Sequence, residues 1–240
     1  MTEKFINELT TSPYYNRIFD GHDVIMISLT GSRIIDITDE LSDYDLVVIT
    51  NDKEREDCVS EFLTYYSKKV HWHYIPITKL IANEDGNLLS CIGEVEFIGL
   101  NEQKIIYANP KYLNIINFLI EKKNVIALVG AYGLVRFHDG LISKILNANE
   151  IKKENYCKYI YHLCFTSYVL LSETPNKNFL SDIKRIRWRT VSDEHKSLAV
   201  ERIRLLYNFV AEHPLDLHNI IRDFNKCVNT RLRFSLTSEE

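Results

Sequence analysis

Residues 24–50 read VIMISLTGSRIIDITDELSDYDLVVIT, two apolar runs separated by a turn and a polar stretch. Val24 to Leu29 is short, apolar and partly β-branched, and it stops at Thr30-Gly31-Ser32, the pattern of a buried strand ending in a turn. The second run opens with two aspartates around one tyrosine and continues LVVIT, which predicts a strand over 43–50. Strands avoid Asp, because its carboxylate competes for backbone hydrogen bonds and favours turns. Chemistry rather than folding therefore accounts for Asp43 and Asp45. The strand period of two puts both carboxylates on one face and Tyr44 on the other.

Outward from this pair, Val59, Phe62, Leu63 and Tyr66 recur at helical spacing among charges, so a helix is expected within 52–67. A third strand, KVHWHYIPI, follows at 69–77, with His71 and His73 on one face and Trp72 on the other. Strands separated by helices imply a mixed sheet with helices packed on it. Past residue 110 the texture turns helical: Pro110 suits the first position of a helix running through KYLNIINFLIEKK. Further helices are expected at 123–148, 151–172, 191–212 and about 215–230. The fold class expected is α+β, a mixed sheet flanked by helices over residues 1–108 followed by an all-helical domain over 109–240, with a cleft between them.

The chain has 240 residues, 45% hydrophobic and 26% charged, enough for a sizeable core. A net charge of −4 supplies no global positive field, so a nucleic-acid partner would need a local patch. Five cysteines, an odd number without zinc-ligand spacing, fit a reducing compartment. No apolar run approaches the roughly 18 residues of a membrane span, and MTEKFINELT is not a signal leader. A cytoplasmic protein of a bacterial cell or a phage-infected host is expected, without membrane contact.

The chemistry follows from the two halves of the opening stretch. Carboxylates two apart on a strand can share one or two Mg²⁺ ions, which take oxygen ligands and share them with substrate phosphates. Gly31 at a strand end lets the backbone approach a ligand closely, and the Ser32 hydroxyl beside exposed N–H groups can hold phosphate oxygens. No GxxxxGK[ST] occurs, so this is not a Walker A loop.

Gly-Ser, a ten-residue spacer, then DYD among apolar neighbours resembles the signature of the nucleotidyltransferase superfamily built on the DNA polymerase β palm. SDYDL, FIGLNEQKIIYANPKY and the KYIYHL segment resemble a nucleotidyltransferase family of bacteria and phages, some of whose members neighbour RNA-repair genes. The resemblance implies a palm domain, Mg²⁺ or Mn²⁺ as cofactor, an NTP as substrate, Asp43 and Asp45 as metal ligands and Ser32 as a phosphate contact. It also implies a third carboxylate on the next strand, and here that strand carries His71 and His73 instead. Either histidine can act as general base, or bind Mn²⁺ or Zn²⁺. Alternatively Glu94 or Glu96 of GEVEFIG supplies the oxygen, or the chain is catalytically silent and binds nucleotide in a regulatory role.

Other candidates are nucleotide contacts. Arg33 adjoins Ser32; Lys158 and His162, four apart, share a helix face, with Lys158 a candidate for phosphate. KRIRWR gathers Lys184, Arg185, Arg187 and Arg189 around an aromatic, suited to triphosphate or RNA contact or simply a solvated helix end. GAYG at 130–133 is read as close helix packing. The expected activity is transfer of a nucleoside monophosphate from an NTP to a hydroxyl on RNA, protein or a small molecule. The rivals are the silent nucleotide binder and an RNA-binding accessory factor.

Overall fold

The structure is a computed structural model. It describes residues 2–31, 43–52, 60–65, 68–77, 103–123, 131, 134–135, 139–147, 157–212, 219, 222–223 and 226–231. Two short helices, α1 (Thr2–Thr10) and α2 (Pro13–Arg17), precede β1 (Val24–Thr30) and β2 (Tyr44–Thr50). Then come β3 (Ser60–Tyr65), β4 (Lys68–Pro76) and β5 (Lys104–Ala108). A 3-10 turn at Pro110–Tyr112 leads into α3 (Leu113–Glu121), followed by α4 (Asp139–Leu146), α5 (Cys157–Leu170), α6 (Lys177–Arg185) and α7 (Asp193–Glu212).

Among the described residues the sheet has five strands in the order β3-β4-β2-β1-β5. It is mixed: β2 runs parallel to β4, and the β1–β2, β1–β5 and β3–β4 pairs are antiparallel. β1 and β2 lie inside the sheet, and every residue of β1 is buried, the mark of a strand covered on both faces. Strand alternation sorts the core into two layers. On one face Leu46, Val48, Val70, Trp72 and Tyr74 meet Phe5 and Leu9 of α1, one helical turn apart, and the Phe5 ring stacks on Tyr44 with centroids 3.4 Å apart. On the other, Val47, Ile49 and Ile75 meet Tyr112 and Ile115, Ile116, Phe118 and Leu119 of α3, together with Val228.

The helix expected within 52–67 is corrected: residues 60–65 form β3, paired along its length with β4. The exposed ladder of β4 supplies hydrogen bonds that local propensity cannot. Three helices (α1, α2 and α6) and strand β5 go beyond the sequence expectations. The expected helices at 151–172 and 191–212 appear as Cys157–Leu170 of α5, with 151–156 outside the described residues, and as α7 from Asp193.

A polar latch ties the β1 start to α3. The Asn109 side chain donates to the Val24 carbonyl at 2.9 Å, the Tyr112 hydroxyl donates to Asp23, and His22 Nδ1 lies 2.6 Å from Asp52. The helical part has its own core, with Ile160, Leu163 and Cys164 of α5 against Phe179, Leu180 and Ile183 of α6 and Ala199, Ile203 and Leu206 of α7. No described helix is long and apolar enough to cross a membrane.

Candidate functional site

The β1–β2 ladder places Thr30 opposite Asp45, at the end of the sheet away from the latch. The parallel β2–β4 ladder places Asp45 opposite His71 and Val47 opposite His73. Because alternation is in step across the two strands, Asp45, His71 and His73 share a face. His71 Nδ1 stands 3.7 Å from Asp45 Oδ1, and the two imidazole centroids are 3.9 Å apart. Among the described residues these three side chains offer one ligand atom each, all within 4.8 Å of one another. The Asp45 side chain is 36% exposed and that of His71 19%, so the group opens to solvent through the aspartate.

Gly31 closes the other side. Its φ is +79°, a left-handed conformation that a residue with a Cβ adopts at a cost. A Cβ built there would lie 2.5 Å from Asp45 Oδ2. The glycine is thus required twice, by backbone conformation and by the carboxylate packed against it. Asp45 presents Oδ1 to His71 and Oδ2 to the Gly31 backbone, while its main-chain carbonyl accepts a hydrogen bond from Thr30 Oγ1 at 3.3 Å.

The helical part contributes a residue that sequence reading passed over. Tyr161 on α5 is buried, and burial pushes its phenol pKa up, with the negative charge of Asp45 adding to the shift. Lys184 of α6 lies over the Tyr161 ring, 5.7 Å from its centroid. Tyr161 sits in KYIYHL between the two residues singled out there, Lys158 and His162. An aromatic on an apolar helix reads as core, and nothing in KYIYHL itself points to Asp45.

Asp43, half-buried just ahead of β2, is not in the three-residue group. Arg187 is exposed at the start of the 3-10 turn Trp188–Thr190, and Lys158 lies in the first turn of α5. Trp188 is only 6% exposed and packs in the helical core, so its ring is no platform for a stacked base. Ser32, Arg33, Glu94 and Glu96 lie outside the described residues. A pocket of about 480 Å³ occurs elsewhere, between Leu146, Trp188 and the α7 residues Lys196, Val200 and Arg204.

Chemically, one carboxylate and two imidazoles suit a divalent ion that accepts nitrogen donors. They do not suit Mg²⁺, which takes near-octahedral oxygen. The described donors are compatible with a divalent metal.

No protein-family model matches the chain, and no curated protein matches it. Among solved structures it is similar to a nucleotidyltransferase-like protein from Exiguobacterium sibiricum 255-15, at 16% identity over 90% of this chain and 78% of that one, with a TM-score of 0.34.

Proposed function

We propose that the protein is a metal-dependent nucleotidyltransferase that moves a nucleoside monophosphate from an NTP to a hydroxyl acceptor. The observation that carries the reading is Gly31, left-handed at the end of β1 and in contact with Asp45 at the start of β2, beside two histidines on the same face. It links Gly31 to Asp45, members of the Gly-Ser and DYD pattern whose spacing resembles the polymerase β-like signature.

In this reading the acceptor oxygen bonds to the α-phosphorus, the bond to the bridging oxygen breaks and pyrophosphate leaves. The hydroxyl proton passes to a base. The Gly31 backbone, Ser32 and Arg33 grip the triphosphate, with Lys158 and Arg187 reaching it from the helical part. Asp43 and Asp45 supply carboxylate oxygens for metal, and His71 and His73 occupy the place of a third carboxylate. A bound divalent ion would neutralise charge on the reacting phosphates, the main catalytic requirement of phosphoryl-type transfer. Residues 1–108 act as the palm and 109–240 as the helical domain that covers it.

The test is incubation of the chain with each labelled NTP, Mg²⁺, Mn²⁺ or Zn²⁺, and a pool of RNAs and proteins. Label should transfer with the wild type and vanish in Asp43→Asn/Asp45→Asn. Transfer that persists in the double variant, or its absence with every NTP and metal, overturns the proposal.

A further inference from the structure

We infer that Asp45, His71 and His73 form a binding site for one first-row transition-metal ion of the Zn²⁺ or Mn²⁺ class, selective against Mg²⁺. The inference rests on the reading of this end of the sheet as a metal site and names the ion it takes.

Register is the first argument. Asp45 and His71 are direct partners across a parallel pair and His73 is the next residue of β4 on that face, so three donors project from two adjacent, hydrogen-bonded strands. Their backbone positions are set by a ladder that continues to Thr50 and Pro76, and Val47, next on the same face of β2, is fully buried. A site built on rigid strands holds its donors better than one on a loop.

Distance is the second. Ligands at about 2.0–2.2 Å around a tetrahedral ion stand roughly 3.4 Å apart. His71 Nδ1 and Asp45 Oδ1 are already 3.7 Å apart, and the full set lies within 4.8 Å, so side-chain rotation of about an ångström closes the group without moving the strands.

Donor type is the third. Imidazole suits zinc and iron, whereas magnesium demands oxygen and sheds its water reluctantly. Two nitrogens in a three-donor set convert a place suited to magnesium into one that discriminates against it. Oδ2 of Asp45, facing the Gly31 backbone, stays on the side where a triphosphate would lie. Both histidines are then metal-positioned rather than available as the base.

The experiment uses the full chain stripped of metal by chelation and titrated calorimetrically with Zn²⁺, Mn²⁺ and Mg²⁺ separately, without nucleotide. Co²⁺ serves as a visible-spectrum probe. Zn²⁺ should bind at one equivalent, on the order of 100-fold more tightly than Mg²⁺, and Co²⁺ should give the intense d–d bands of a low-coordinate nitrogen and oxygen site. His71→Gln/His73→Gln should lose the Co²⁺ bands and at least about tenfold in Zn²⁺ affinity. Equal or tighter Mg²⁺ binding by the wild type overturns the inference, whether or not the variant folds. So does Zn²⁺ affinity unchanged in a variant whose circular dichroism matches the wild type. The two proposals fail separately: histidine-dependent Zn²⁺ binding without label transfer refutes the nucleotidyltransferase, and transfer with Mg²⁺ preferred refutes the transition-metal site.

Discussion

Gly31→Ala is the perturbation that separates the geometry of the site from the stability of the fold. The new methyl meets two penalties of different kinds. Holding an alanine at φ +79° costs about 1–2 kcal/mol of left-handed strain. For a domain of this size that lowers the melting temperature by about 2–8 °C. The second penalty is local: the Cβ would stand 2.5 Å from Asp45 Oδ2, with Asp45 Cβ and Cγ both at 3.4 Å. The carboxylate is the mobile end, so it yields, retreating by about 0.9 Å to reach ordinary contact. Misplacing a reacting group by about 1 Å costs on the order of 100-fold in rate. Gly31→Asn divides the two effects, because Asn tolerates the left-handed region yet carries a Cβ. Thermal unfolding followed by circular dichroism and label transfer from NTP read the two quantities on the same preparations. The expectation is a modest melting shift for Ala, a smaller one for Asn, and equal, large losses of transfer in both. Transfer within about threefold of wild type in either variant would refute the claim that Asp45 needs the space Gly31 leaves.

Three further outcomes are expected. Asp45→Asn removes the charge beside Tyr161, so the phenol should titrate at lower pH than in the wild type, yet still above its ordinary value of 10.0 because burial, the larger cause, remains; ultraviolet difference titration reads both. Burial also holds the Cys164 thiol above its ordinary 9.0, so the unfolded chain sheds that proton as pH passes 9 while the folded chain keeps it. Stability should therefore be intact below pH 9 and fall above it by up to about 1.4 kcal/mol per pH unit from this group; Cys164→Ala should remove that share of the slope in urea unfolding at pH 8, 9.5 and 11. Asn176→Ala deletes the side-chain acceptor for the Phe179 N–H at the start of α6, 3.1 Å away, and should cost about 1 kcal/mol by chemical denaturation without altering transfer, since Asn176 is not among the residues of the metal group.

These outcomes rest on two kinds of information. The sequence by itself determined what is local. The run from Val24 ending in a glycine, the Asp pair ahead of LVVIT, and the common face of His71 and His73 against Trp72 all follow from a side-chain period of two, which needs no knowledge of neighbours. The change to helices after Pro110 is similarly visible in apolar spacing. Tertiary structure decided the rest, because pairing and packing join segments far apart in the chain. SEFLTY became a strand only through the edge that β4 offered it. Asp45 met His71 because the parallel register came out as it did; a slip of one residue would have turned the histidines to the opposite face. The helical part's contribution, Tyr161 beside Asp45 with Lys184 over its ring, has no signature in KYIYHL or KRIRWR. Their apolar and basic residues look alike whether they face a core, solvent or a site, and only tertiary structure tells which.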